Sequence, residues 1–203
     1  TQVIIDGLRC LGLDWDEGPV HQADGLDRHR RDALQMLDRG TAYRCFCSAD
    51  FLEEQRAAAI ARGEGYRYDR RCLAIPLDES ARRAAAGEAF TVRFRVPEGA
   101  TKWDDAVHGR IEFPNADLED FIILRSDGTP IYNLAVVSDD IDMRITHVLR
   151  GDDHISNTPK QILLYNALGK ALPVFGHVPM ILGPDGKKLS KRHGATGVGD
   201  YIA

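Results

Sequence analysis

The sequence predicts an α/β protein: a parallel sheet with helices on its faces, interrupted by a mixed α+β insertion. Three observations lead there. The last part of the chain alternates apolar, β-branched runs with a helical stretch, the β-α-β order of parallel sheets. The stretch up to Gly40 reads as helices only. Between them, Tyr43-Arg44-Cys45-Phe46-Cys47 opens a region of different composition with its own short helices, turn signals and cysteines.

Taken in order, Ile4, Leu8 and Leu11, with Val3 and Ile5 beside them, have helical spacing over residues 2–13, and Gly12 sits near the stop. Cys10 falls on that apolar face and is expected to be buried. Leu13 to Pro19 reads as a turn. A second helix is expected from Leu26 to Arg39, with Leu26, Arg30, Ala33, Leu34 and Leu37 on one side and Gly40 just beyond its end. Ser48 is placed to cap a helix from Ala49 to Arg62, with Glu53 near the positive end of the dipole. Gly63 to Pro76 is rich in Arg and Tyr and irregular, and Glu79 to Ala86 is a short helix ended by Gly87. Phe90 to Val96 alternates apolar and polar residues, the period of a half-buried strand. His108 to Phe113 and Phe121 to Arg125 are further strands, and Ser126-Asp127-Gly128 is a tight-turn signal. Ile131 to Val137 and Ile145 to Leu149 fit buried strands. Asn157-Thr158-Pro159 opens a helix with Pro in its first turn, ending at Gly169, and Val174 to Leu182 returns to strand composition. Ligands of such sheets sit at the carboxyl ends of the strands, where this order puts Arg150 and Lys188.

A chain of 203 residues holds one large domain or two small ones. Its 43% hydrophobic and 28% charged content is that of a folded globular protein. No run approaches the roughly 18 consecutive apolar residues of a membrane span. No signal-peptide pattern follows Thr1, and the chain stops at Tyr201-Ile202-Ala203 without a closing element, so an internal fragment of a longer protein is expected. Four cysteines without a secretory signal point to a reducing, cytoplasmic compartment rather than a disulfide framework. The net charge of −5 does not advertise a nucleic-acid binder, yet residues 56–71 carry Arg56, Arg62, Arg67, Arg70 and Arg71 against Glu64 and Asp69.

The stretch from Gly186 to Gly194 follows the turn residues Gly183-Pro184-Asp185, and four of its nine residues are cationic. Such a loop suits a site where negative charge develops on phosphate, the plainer reading being a solvated basic loop. Within it, Lys188-Leu189-Ser190-Lys191-Arg192 resembles the "KMSKS" signature of class I aminoacyl-tRNA synthetases. Asp120 to Asn133, His147 to His154, Asn157 to Gln161, Leu11 to Pro19 and Ala42 to Cys45 all resemble bacterial glutamyl-tRNA synthetases, so the likeness covers essentially the whole chain.

That resemblance implies a Rossmann-type class I catalytic domain, incomplete here, with an inserted α+β acceptor-binding domain. Residues 1–43 and 130–203 would be catalytic and 44–129 the insertion. It implies two half-reactions: ATP with Mg2+ activates glutamate to glutamyl-adenylate, then the acyl group passes to the terminal ribose of tRNA(Glu). A monomeric parent with no membrane partner is expected. The family's His-Ile-Gly-His-type motif would precede Thr1 and its anticodon-binding part would follow Ala203, so this piece alone is expected to be inactive. The alternatives are a glutamyl-queuosine tRNA(Asp) synthetase and a non-catalytic acceptor-binding fragment.

By the same resemblance, Lys188 and Lys191 stabilise the triphosphate, and Leu189, Ser190, Arg192, Asp153 and Ile181 complete the ATP site. Tyr132, Val136, Arg150 and His154 line the glutamate pocket, with Val136 contributing packing only. A guanidinium forks onto a carboxylate through two charge-assisted bonds, which makes Arg150 the carboxylate reader; the bland alternative is an ion pair with Asp139, Asp140 or Asp142. Arg125, Arg67 and Arg70 are the tRNA contacts. Some relatives hold zinc with Cys-x-Cys, a third Cys 25 positions on and a His two further; Cys45, Cys47 and Cys72 keep that spacing, but Ala74 replaces the His. Tyr68, four residues before Cys72, is the ligand implied by the glutamyl-queuosine enzymes. A site of three Cys closed by Tyr68 or water, and buried thiols without metal, both stay open.

Overall fold

The structure, a computed structural model, describes residues 2–183 and 185–186. Helices α1 (Gln2–Cys10) and α2 (Leu26–Asp38) lead into strand β1 (Ala42–Cys45), helix α3 (Ala49–Ala61) and helix α4 (Leu77–Ala85). Strands β2 (Thr91–Phe94), β3 (Ala100–Asp105), β4 (Gly109–Pro114) and β5 (Ile122–Leu124) follow. Helix α5 (Tyr132–Asp142), strand β6 (His147–Gly151), helix α6 (Thr158–Leu168) and strand β7 (Val174–Val178) complete the order. β1, β2 and β5 form an antiparallel sheet in that spatial order, and β3 and β4 form a separate hairpin.

The expected β-α-β unit is present. β6 pairs parallel with β7, His147 opposite Val174 through Gly151 opposite Val178, with α6 as the crossover. Pro159 lies in the first turn of α6, where its missing N–H costs nothing, and Gly169 ends the helix at φ 69°. Ser48 caps α3 as expected, its hydroxyl accepting from the Phe51 N–H at 3.1 Å.

Three local expectations are corrected. Ile131 to Val137 is not a strand: from Tyr132 it is the start of α5, and Leu134, Val137 and Ser138 are buried at helical spacing. An apolar run buried on most sides looks the same in either structure, so periodicity alone could not separate them. The buried face of α2 is His29, Ala33 and Met36 rather than the stripe through Arg30 and Leu34, because the His29 ring is held inside by Asp139 at 2.6 Å. Cys10 is exposed, and α1 buries no residue; Val3 and Ile4 remain 84% and 68% exposed. β3 has no counterpart among the expected strands. Its inward residues, Thr101, Trp103 and Asp105, are mostly polar, so the hydrophobic alternation is hidden.

A single core cluster joins α2, β1, β2, β3, β5, α5, α6 and β7. Met36, Ile123, Leu134 and Leu164 are at its centre with 0% exposure, each stabilising the fold by roughly 1.5–3 kcal/mol. Tyr43, Cys45, Tyr68 and Cys72 form a second, smaller buried cluster.

Candidate active site and cysteine cluster

Arg150 is half-buried on β6, one residue before the strand ends, as the α/β ligand-site rule anticipates. None of the acids weighed as its ion-pair partners takes that role. Asp139 and Asp142 bind Arg28 at 2.6 and 2.8 Å, and Asp140 accepts from the Tyr165 hydroxyl at 3.4 Å. Arg150 instead donates from Nε to His177 Nε2 at 3.1 Å and from Nη2 to Thr158 Oγ1 at 2.8 Å. Burial pulls the guanidinium below its usual pKa, opposed by the nearby Tyr132, Asp140 and Asp105. Two acceptors, a ring nitrogen and a hydroxyl, therefore aim this cation, and among the described residues the three acids weighed as its partners are engaged elsewhere.

Tyr132, the first residue of α5, and His154, in the 3-10 turn after β6, come together beside it. The Tyr132 hydroxyl lies 3.4 Å from His154 Nδ1, with ring centroids 6.2 Å apart. Val136 is one turn further along α5 and half-buried, on the Tyr132 face. Asp153 and Ile181 are exposed. Lys188, Leu189, Ser190, Lys191 and Arg192 lie outside the described residues.

The residues that hold Arg150 were not singled out in the sequence. Thr158 and His177 are both 0% exposed, as is the Asp105 side chain, which takes His177 Nδ1 at 2.5 Å. Asp105 Oδ1 also accepts the backbone N–H of His177, Val107 and His108, and Trp103 Nε1 donates to Oδ2 at 3.4 Å. Burial alone would raise this carboxyl, but the side-chain and backbone hydrogen bonds from His177, with those of Val107 and His108, hold it below the usual carboxylate range. Gly176 permits the close approach: a Cβ there would stand 2.6 Å from Leu149 Cδ2 and 3.4 Å from Ala106 Cβ. The Trp103-x-Asp105 alternation was the only sequence signal for this contact.

Among the arginines expected at tRNA, Arg125 is exposed. Arg67 donates to the Ala116 and Leu118 carbonyls, and Arg70, at φ 59°, donates to Val96 O at 3.0 Å and Asp120 Oδ1 at 2.8 Å. Both clamp the loop before β5.

The cysteine spacing does bring its residues together. The Sγ atoms of Cys45, Cys47 and Cys72 all lie within 4.8 Å of one another, Cys47 and Cys72 at 3.6 Å. Tyr68 Oη completes a fourth corner, 3.3 Å from Cys45 Sγ and 3.7 Å from Cys47 Sγ, while Ala74 is exposed. Hydrogen bonding from Cys72, against the penalty of burial and with help from Tyr68 and Arg93, draws the Cys45 thiol down to about 4. Burial and hydrogen bonding to the neighbouring thiols push Tyr68 upward, and the hydrogen bond to Cys45 with burial pushes Cys72 upward. Tetrahedral geometry with Zn–S of about 2.3 Å places sulfurs roughly 3.8 Å apart; the Cys47–Cys72 pair at 3.6 Å is near that, and three thiols with a phenol oxygen are a donor set compatible with zinc.

The family model for the catalytic domain of class I tRNA synthetases (E and Q) matches residues 1–201. Glutamate–tRNA ligase 2 of Koribacter versatilis is 55% identical over 98% of this chain, and the glutamate–tRNA ligase of Coprothermobacter proteolyticus 52% identical over 99%. This chain spans only 42% and 44% of those two relatives. The crystal structure of a glutamate tRNA ligase from Elizabethkingia meningosepticum in complex with its amino acid superposes with a TM-score of 0.87 at 31% identity, covering 95% of this chain and 42% of that one. With nearly the whole length matched in sequence and in fold, this chain belongs to the catalytic-domain family of the class I tRNA synthetases (E and Q).

Proposed function

We propose that this chain is part of a glutamate–tRNA ligase, which activates glutamate with ATP and Mg2+ and passes it to the terminal ribose of tRNA(Glu). The observation that carries the reading is Arg150, a cation anchored by two neutral acceptors beside Tyr132 and His154. The two anchoring bonds use Nε and Nη2, and Tyr132 is a further hydrogen-bonding neighbour of the guanidinium, so a carboxylate would be read at its Nη1 side beside Tyr132. Neither half-reaction needs a protein nucleophile, so holding the substrate in register is the main service these residues supply. Lys188 and Lys191 are assigned to the triphosphate, and Leu189, Ser190, Arg192, Asp153 and Ile181 to the rest of the ATP site. Mg2+ would neutralise phosphate charge when bound. Arg125 is the best of the arginines for the acceptor end, because Arg67 and Arg70 already serve the protein's own carbonyls.

In the full-length protein containing this chain, Arg150→Ala is expected to raise the glutamate KM by roughly ten- to a hundredfold, the worth of a hydrogen bond to a charged group. ATP–pyrophosphate exchange at varied glutamate measures it, and an unchanged KM would return Arg150 to a purely structural role.

We further infer a structural zinc ion held by Cys45, Cys47, Cys72 and Tyr68. Plasma emission on protein purified without added metal should give close to one zinc per chain, and Cys72→Ser should abolish it. A stoichiometry near zero in the parent protein leaves buried thiols as the answer. The glutamyl-queuosine tRNA(Asp) synthetase is the second reading, favoured only by Tyr68 at the cluster; charging of unmodified tRNA(Glu) but not tRNA(Asp) decides against it.

A further inference from the structure

We propose that His177 and Asp105 are positioning residues for Arg150: Asp105 fixes the tautomer of His177, whose other nitrogen then holds the guanidinium in place. This rests on Arg150 reading the substrate carboxylate.

The bonding directions follow from what each group can donate. Arg150 Nε carries a proton and no lone pair, so at 3.1 Å His177 Nε2 must accept. An ionised Asp105 can only accept, so at 2.5 Å His177 Nδ1 must carry the proton. The ring is therefore neutral, protonated on Nδ1 and open on Nε2. Thr158 Oγ1 lies 3.0 Å from the same Nε2 and takes the Nη2 proton of Arg150 at 2.8 Å. Neither His177 nor the Asp105 side chain is accessible to water, so no solvent molecule competes to reverse the polarity. Asp105 comes from the β3–β4 hairpin, His177 from β7 and Arg150 from β6, so one hydrogen-bonded line joins three separate strands. A buried His–Asp pair serving only as a staple would not need its far nitrogen turned on the guanidinium of Arg150.

The amide variant separates the two roles. Three backbone N–H groups converge on Asp105 Oδ1 at 3.1 to 3.2 Å, so in Asp105→Asn the amide oxygen stays there and its NH2 faces His177 Nδ1. The ring must then move its proton to Nε2, against Arg150 Nε–H. A carboxylate-to-amide change that leaves geometry intact but selects the wrong histidine tautomer is known to disable a serine-protease triad. Here the consequence is a misplaced guanidinium rather than a lost base.

In the full-length protein, Asp105→Asn should raise the glutamate KM roughly tenfold or more, by the same hydrogen-bond argument as for Arg150. The ATP KM and kcat at saturating glutamate should change little, and 15N resonances of His177 should show the proton moved to Nε2. If Arg150→Ala raises that KM while Asp105→Asn shifts only the melting temperature, the positioning role is refuted and Arg150 keeps its own. If Arg150→Ala has no effect on KM, the carboxylate reading falls and this proposal falls with it. Should Asp105→Asn fail to fold, His177→Asn keeps a side-chain N–H for Asp105 and deletes the acceptor for Arg150 Nε, and an unchanged glutamate KM there overturns the proposal.

Discussion

Asp120 is 1% exposed and accepts hydrogen bonds from the Tyr43 hydroxyl at 2.8 Å, the Val96 N–H at 2.9 Å and Arg70 Nη2 at 2.8 Å. Its own carbonyl receives Arg93 Nη1 at 2.9 Å. Asp120→Ala strands the buried Tyr43 and Val96 donors and is expected to cost about 2–4 kcal/mol, roughly 1–3 for each unsatisfied buried group, while the partly exposed Arg70 turns to water. Urea denaturation measures it, and a loss within about 1 kcal/mol of wild type would show that water replaces the carboxylate. Two other acids contribute to the response to acid. Asp105 and Asp139 are both desolvated, yet hydrogen bonds hold both below the usual carboxylate range, those to Asp139 coming chiefly from His29, Gln22 and Arg28. With folded values depressed, their stabilisation is fully present above the unfolded value of about 3.9 and is lost as pH falls through the folded values. The urea midpoint should therefore be flat from neutral pH down to about 5 and fall steeply below 4, the fall being shallower in Asp105→Asn.

At the scale of the element, α5 offers the cleanest test of what the sequence hid. On a strand, Leu134 and Val136 would share a face and cost alike; on this helix Leu134 and Val137 are 0% exposed and Val136 is only half-buried. Leu134→Ala should lose about 2–5 kcal/mol and Val136→Ala well under half of that, and equal losses would contradict the helix. Elements with a local chemical mark were legible from sequence. Ser48 capped α3, Pro159 and Gly169 bounded α6, and the β-branched run around Val148 gave the parallel strand. Elements whose inward residues are polar were not. β3 turns Thr101 and Asp105 inward, and α2 buries His29, because partners distant in sequence, Asn115, His177 and Asp139, satisfy them. The same limit applied at the site. Arg150, Tyr132 and His154 could be named from a resemblance, while Thr158 and His177 matter through contacts distant in sequence, and Asp105 is marked only by its alternation with Trp103.

Across the whole molecule, the β3–β4 hairpin and the β6–β7 pair are tied by backbone as well as side chains. The Ala106 N–H donates to Phe175 O at 2.8 Å, the His177 N–H to Asp105 Oδ1 at 3.1 Å, and His108 Nε2 faces Asp152 Oδ1 at 2.8 Å. Gly176→Val, which puts a branched side chain into the gap between Leu149 and Ala106, should force these strands apart. Hydrogen exchange at the Ala106 and His177 amides should accelerate together, and acceleration at one amide alone would mean the hairpin moves independently.

That seam bears on modularity. The division expected at residues 43/44 and 129/130 assigns Asp105 to the insertion and His177 to the catalytic part. The two ends of one buried hydrogen bond then belong to different modules. A graft of the middle segment from a relative must bring an acceptor where Asp105 stands, or it buries an imidazole N–H with neither water nor partner. On that division the middle segment and the strand β7 it touches are exchangeable as a pair, and separately each is a foreign part.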